Sequence, residues 1–233
     1  MRHTQFNVLL VDDEQDVVKL YSKLLKDEKI KAFHFQDPIE AFRFLSEVKF
    51  PIDLIISDLN MPKITGLEFL SEIKNMSKCL SIPFIFLTGI DDDPSKLQAF
   101  DNGAVAYIQK PVDNQVFIAQ VKSIINSYAI NSFKDNIRHI GSSKDWELDE
   151  IINFCEKVKI NGFSHIYDKN KSGVIFFERG VLEDIKLNNL SGADALDKMS
   201  HWKEYRFLIA SGRYIPEIIK EFIEKTKLEG YDF

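Results

Sequence analysis

Four short stretches of this 233-residue chain carry side chains able to do chemistry together: Asp12-Asp13-Glu14, Asp58, Thr88-Gly89 and Lys110-Pro111. Each follows an apolar run, respectively Asn7 to Val11, Asp53 to Ser57, Phe84 to Leu87 and Ala104 to Ile108. Carboxylates brought within a few ångströms of one another repel, so they either take up protons or bind a cation. A hard divalent ion with oxygen ligands fits such a set, and Mg²⁺ uses one or two carboxylates while keeping several waters. A lysine beside them would pair with an incoming anionic oxygen. Carboxylate, Mg²⁺, lysine and hydroxyl are the parts needed to accept a phosphoryl group on a carboxylate. The chain has no Gly-rich phosphate loop, so the donor is expected to be another protein or a small phosphoanhydride.

The elements that must position these groups follow from the apolar pattern. Between the strand-like runs lie helix-like segments: Val17 to Leu25, Pro38 to Leu45, Thr65 to Asn75 and Pro94 to Asn102. A long amphipathic segment from Val112 to Tyr128 closes the series. Several strands are apolar at consecutive positions, as in a parallel sheet covered on both faces. The expected fold of the first half is a doubly wound, five-stranded parallel α/β domain. In such sheets, ligands bind beyond the carboxyl ends of the strands, where the four stretches fall.

After Ala129 the pattern changes. Residues 129–144, including Gly141-Ser-Ser143, read as a helix tail and linker. Residues 145–233 read as a smaller α+β domain: a helix around Ile151, then short strands Gly162 to Tyr167, Val174 to Phe177 and Val181 to Leu187. Polar turns separate them, including Asp168 to Ser172, as in an antiparallel meander. A helix from Ser191, a strand from Tyr205 to Ile209 and a helix from Pro216 follow.

Composition narrows the classes. Residues 1–138 hold 16 Lys/Arg against 19 Asp/Glu, and residues 139–233 hold 14 against 17, so each part is at −3. Neither has the basic surplus that displaces counterions from nucleic-acid phosphates or docks on an anionic membrane. Two cysteines, Cys79 and Cys155, argue against a disulfide scaffold and a Cys-based zinc site. No apolar run approaches the roughly 18 residues of a membrane span. The start, Met1 to Asn7, has no signal-peptide core, so a cytoplasmic location is expected.

Residues 5–128 resemble the receiver domain of two-component response regulators. The resemblance is carried by Asp12-Asp13, by Asp58 in Ser-Asp-Leu-Asn-Met-Pro, and by Thr88-Gly89, Tyr107 and Lys110-Pro111. It implies that Asp58 accepts the phosphoryl group from a histidine kinase or phosphotransfer protein. It also implies an Mg²⁺ site made by Asp13, by Asp12 largely through water, by Asp58 and by the backbone carbonyl of Asn60. Lys110 would pair with the acyl phosphate, Thr88 would donate its hydroxyl to it, and Tyr107 would turn inward after Thr88 moves. The face of helix four, strand five and helix five would then change, and a dimer through that face is open. Glu14 reads as helix-start charge, and Met61-Pro62 and Gly66 as loop-shaping residues.

The second half carries a looser resemblance to the PATAN type of domain, a protein-interaction module of response regulators linked to surface motility. Gly162-Phe-Ser-His-Ile, the Phe177-Glu-Arg-Gly180 turn, Gly192-Ala-Asp-Ala-Leu and Trp202 with Tyr205-Arg-Phe carry it. It implies a downstream protein target and no enzyme activity beyond self-catalysed phosphoryl acceptance and slow loss. His139, His165 and His201 read as packing or surface residues, and Trp146, Trp202 and Tyr205 as core or interface aromatics. The alternative is a transcription regulator with an unrecognised DNA-binding output.

Overall fold

The computed structural model describes residues 5–168 and 170–228, the last three by backbone alone. Residues 1–4 of the N-terminal segment, Lys169 in the expected polar turn and residues 229–233 lie outside the described residues. The chain divides into two compact units, Gln5–Ala129 and the stretch from Ile130 onward.

In the first unit, strands β1 (Asn7–Val11), β2 (Lys31–Phe35), β3 (Leu54–Ser57), β4 (Phe84–Thr88) and β5 (Ala106–Gln109) form one sheet. Its order is β2-β1-β3-β4-β5, and every pairing is parallel. The three central strands β1, β3 and β4 are buried along their whole length, which is why their sequences are apolar on consecutive positions. Helix α1 (Gln15–Asp27) and the first part of α5 (Asn114–Asn136) cover one face, where Tyr21, Leu25, Phe117 and Val121 pack on Val8, Leu10 and Ile85. Helices α2 (Pro38–Glu47), α3 (Gly66–Lys74) and α4 (Asp93–Asp101) belong to the other face, where Leu45, Phe69 and Ala99 pack with Leu9, Ile55 and Phe86. Each fully buried Val, Leu, Ile or Phe among them contributes about 1.5–3 kcal/mol.

Local sequence fixes where these helices begin. Asp37 accepts a hydrogen bond from the Ile39 amide (2.8 Å), and Pro38 stands in the first turn of α2, where it costs no donor. Thr65 and Glu68 satisfy each other's backbone amides at the start of α3. Asp92 accepts from the Ser95 amide (2.8 Å) to start α4. Each cap fixes the end of a loop leaving the carboxyl edge of the sheet.

The stretch 129–144, expected as helix tail and linker, is different. Helix α5 continues to Asn136, and Ile137–Ser142 forms strand β6. Its sequence hides it because Gly141-Ser-Ser143 reads as a turn. Gly141 stands in a strand because a Cβ there would meet the Phe207 ring at 2.7 Å. The remaining elements are α6 (Leu148–Lys157), β7 (Gly162–Tyr167), β8 (Ser172–Glu178), β9 (Val181–Leu187), β10 (Leu190–Ser191), α7 (Gly192–Ser200), β11 (Arg206–Ser211) and α8 (Pro216–Leu228). They build a six-stranded antiparallel sheet ordered β10-β9-β8-β7-β11-β6. The expected meander β7-β8-β9 is its centre, and β6 and β10 are strands the sequence does not announce.

One face of this sheet, with Ile166, Ile175, Phe207 and Ile209, packs on Ile151 and Cys155 of α6 and Ala195 and Met199 of α7. On the other, Phe163 stacks with Phe133 of α5 and meets Tyr214 edge-on. Two of the three histidines named above pack in this unit, and His201 is exposed. His139 stacks on Trp146 (4.3 Å between ring centres), His165 is buried beside the Tyr214 hydroxyl (3.3 Å), and His201 Nδ1 lies 2.6 Å from the Asp197 carbonyl oxygen. Tyr205 is buried and donates to the Trp146 carbonyl (3.0 Å), while Trp146 and Trp202 are half-buried. The Asp168 carboxylate accepts from the amides of Asn170 and Lys171 (2.7 Å each), closing the expected turn.

Candidate functional site at the carboxyl edge of the parallel sheet

Because β1, β3, β4 and β5 run parallel, their carboxyl ends lie on one edge, and the residue after each strand is delivered there. Asp12 follows β1, Asp58 follows β3, Thr88 ends β4 and Lys110 follows β5. The Lys110 ammonium lies 2.6 Å from Asp12 Oδ2 and 3.5 Å from Asp58 Oδ1. Residues 98 positions apart thus form a direct hydrogen bond. Asp12 is 1% exposed and Asp58 8%, so this charge cluster is largely withdrawn from solvent.

Each oxygen can be followed. Asp12 Oδ1 accepts from the Glu14 amide (3.0 Å), and Asp12 Oδ2 from Lys110. Asp58 Oδ2 accepts from the Asn60 amide (3.1 Å). Among the described residues, Asp58 Oδ1 is buried with no hydrogen-bond partner and lies within ion-pair range of Lys110. A buried carboxylate oxygen left with free lone pairs is costly unless something cationic or electrophilic comes to it. Burial pushes the Asp12 carboxyl above the ordinary range in spite of the Lys110 hydrogen bond. For Lys110, burial acts to lower its pKa, but the Asp12 hydrogen bond and the charges of Asp12, Asp58 and Glu14 outweigh it and the net direction is up. The ammonium therefore stays charged near neutrality.

Asp13 is half-buried, and Lys110 makes its ion pairs with Asp12 and Asp58 rather than with Asp13. Among the described residues, no group of three or more His, Cys, Asp or Glu side chains is arranged to hold a metal ion. The donor chemistry is nonetheless that of a hard cation site: Asp58 offers an unpartnered oxygen and Asp13 a carboxylate one residue from Asp12, with the Asn60 backbone near Asp58. Glu14 precedes α1 and its amide ties back to Asp12, in keeping with a helix-start role.

On the β4 side, Thr88 is 1% exposed. Its Oγ1 accepts from the Ile90 amide (3.3 Å), which leaves the hydroxyl proton available for donation. Tyr107, on β5 beside Phe86 of β4, is half-buried against the core, and its hydroxyl donates to the Ile90 carbonyl (2.9 Å). Thr88 and Tyr107 therefore share the backbone of Ile90, one through its amide and the other through its carbonyl. The Tyr107 bond to the Ile90 carbonyl coexists with the Thr88 bond to the Ile90 amide, whereas the receiver resemblance implies that Tyr107 turns inward after Thr88 moves. The Lys110 amide donates to the Thr88 carbonyl (2.7 Å), and the Lys110–Pro111 peptide is cis.

Two further residues shape this edge, Gly66 and Ile90. A Cβ on Gly66 would sit 2.2 Å from the Asp58 carbonyl oxygen and 2.8 Å from the Phe86 ring. The start of α3 thus rests directly on the Asp58 backbone, and the Gly66 amide donates to the Leu59 carbonyl (2.8 Å). Ile90, whose position two residues after Thr88 the receiver resemblance singles out, meets Thr88 and Tyr107 through main-chain atoms while its side chain packs on the core.

Known proteins resemble this chain over its first unit. A family model described as the response regulator receiver domain matches residues 8–122. The probable transcriptional regulator ycf29 of Porphyra purpurea is 31% identical over 127 residues, 54% of this chain and 60% of that protein. The response regulator SaeR of Staphylococcus aureus is 27% identical over 158 residues, 67% of this chain and 64% of that protein. The chain thus spans less than two thirds of the length of these relatives. A receiver domain protein from Clostridium thermocellum of solved structure is 29% identical, covering 54% of this chain and 98% of its own, with a TM-score of 0.50. On its parallel sheet, its carboxyl-edge cluster and these matches, the segment 8–122 is a response regulator receiver domain of the two-component type.

Proposed function

We propose that the chain is a phosphorylation-dependent response regulator in which Asp58 is the phosphoacceptor. The observation that carries this reading is the buried, unpartnered Asp58 Oδ1 facing the Lys110 ammonium. Oδ1 attacks phosphorus in line, the bond from phosphorus to the donor breaks, and the leaving group departs with its electron pair. Asp58 Oδ2 stays held by the Asn60 amide, which fixes the carboxylate plane for attack. Lys110 moves its charge from Asp12 toward the phosphoryl oxygens, and Thr88 donates its hydroxyl to one of them. Asp13 and Asp58, the Asn60 carbonyl and, through water, Asp12 would hold Mg²⁺. That ion supplies neutralisation of the phosphoryl charge.

The donor in this reading is a histidine kinase or phosphotransfer protein. The added charge, near −2 with strong acceptor oxygens, favours the conformer in which Thr88 is drawn toward Asp58. Movement of Thr88 releases or re-aims the Ile90 peptide and so reaches Tyr107. The change is delivered at α4, β5 and α5, where Leu97, Phe100 and Val116 are exposed apolar residues suited to a partner or to dimerisation. Residues 145–233 act as a PATAN-like interaction domain without catalytic output, passing the signal to a downstream protein target, in motility control. No helix among the described residues is long and apolar enough to cross a membrane, and a cytoplasmic location suits the proposed partners.

A second reading, a transcription regulator with a DNA-binding output, is favoured by the name of the ycf29 relative. The charge of residues 139–233, 14 Lys/Arg against 17 Asp/Glu, opposes it. Incubation with acetyl phosphate and Mg²⁺ tests the first step: wild type should take up label and Asp58→Ala should take up none. Equal labelling of the variant overturns the assignment. Gel shift with genomic fragments, with and without phosphodonor, separates the two outputs.

A further inference from the structure

Lys96, in the first turn of α4, pairs with Asp91 of the preceding loop, and its ammonium lies 6.0 Å from the centre of the Tyr107 ring. Asp91 is also reached by the side chain of Gln109, two residues beyond Tyr107 on β5. The ring is therefore held at both ends. Its hydroxyl donates to the Ile90 carbonyl (2.9 Å), and its face meets a cation fixed in place by Asp91. The Phe86 ring lies 6.3 Å away between ring centres. The Lys96 hydrogen bond holds the Asp91 carboxyl below its ordinary range, and the same bond raises Lys96, as expected of a formed pair.

We propose that Lys96 and Asp91 form a latch that favours the inward-held Tyr107 before any phosphoryl group arrives, and so sets the unstimulated level of signalling. The inference rests on the switch reading of Thr88 and Tyr107 given above. The attraction between an ammonium and a ring exists only while the ring lies within its reach. Swinging Tyr107 outward forfeits that attraction together with the hydrogen bond to Ile90, so the latch discriminates between the two conformers. That difference is what a shift in their populations requires. Both groups of the ion pair are partly exposed, at 34% and 46% of their side chains, which limits the bias to about two- to fivefold in the conformer ratio. Phosphorylation adds the pull on Thr88 to a switch already leaning inward, so the latch narrows the gap between resting and stimulated states.

The test uses the full chain carrying fluorotyrosine, followed by fluorine NMR, with the signal of position 107 identified by its loss in Tyr107→Phe. Beryllium fluoride with Mg²⁺ serves as the phosphoryl mimic. The wild-type signal should shift with the mimic, and without it the inward population should fall about threefold in both Lys96→Met and Asp91→Asn. Lys96→Arg, which keeps a cation over the ring, should retain the wild-type ratio. A wild-type signal that responds to the mimic, with unmimicked populations unchanged in Lys96→Met, overturns the latch and leaves the switch reading standing. A wild-type signal that ignores the mimic overturns both.

Discussion

In the first unit, Asp12, Asp58 and Lys110 keep opposite charges together at the end of a parallel sheet, with one carboxylate oxygen unpartnered. In the second, the buried polar side chains are held neutral. Burial pushes His165 down to about 4 and Tyr214 and Cys155 up to about 12, and Ser164 Oγ is buried with no partner. Topology accounts for the contrast. Parallel strands end together, so the polar residues that follow them converge on one edge; antiparallel neighbours alternate their ends and disperse theirs. Charge buried against countercharge can be redistributed by an incoming anion. Neutral polar groups among apolar neighbours serve packing.

The sharpest way to break this comparison is to remove the lysine. Lys110→Met leaves Asp12 and Asp58 buried without their cation, at an expected cost of about 3 kcal/mol, the lower end for breaking a buried pair. The lower end applies because Asp12, already raised by burial, takes up a proton instead of remaining charged. Urea unfolding of the full chain should show the loss in the receiver transition. An unchanged midpoint would mean the cluster is hydrated rather than buried.

The second unit should respond to acid through a buried imidazole. His165 has a folded-state pKa of about 4 against an ordinary 6.5. Between those values the unfolded chain binds the proton and the folded one does not, so stability rises with pH across this window and is lost as pH falls. The separation of 6.5 − 4 = 2.5 units corresponds to about 3 kcal/mol at 1.36 kcal/mol per unit. His165→Leu should flatten this slope in thermal melts taken from pH 7 to pH 4. A slope of wild-type size in that variant would assign the acid sensitivity elsewhere.

A smaller effect sharpens the receiver side. Gly66→Ala places a methyl against the Asp58 carbonyl and the Phe86 ring, and should cost about 2 kcal/mol, as overpacking does. The displaced Asp58 should also slow labelling by acetyl phosphate. Normal stability and labelling rate would show that α3 recoils freely from Asp58.

The receiver half was legible because its strands are buried on both faces, which writes consecutive apolar runs, and because each run ends in the residue the site needs. Asp12, Asp58 and Lys110 could be placed together from strand order alone. Thr88 could be put on the same edge, but its bond to the Ile90 amide could not, since main-chain partners leave no side-chain signature. Strand β6 went unread because its glycine answers to the Phe207 ring, a neighbour 66 positions away in sequence. Likewise, nothing in the acidic run Asp91-Asp92-Asp93 indicates that Lys96 reaches over Tyr107. That contact depends on how the start of α4 is set against β5.

The two glycines beside the receiver edge give that edge a direction. Beneath Asp58 at Gly66 there is no room for a methyl group, while at Gly89, beyond Thr88, nothing lies within 4 Å of where one would be. One flank is closed by backbone and ring atoms, and the other is open. Volume added at the carboxylate must be absorbed on the yielding flank, so the route of the mechanical response is set by where the packing is slack, before any partner is engaged.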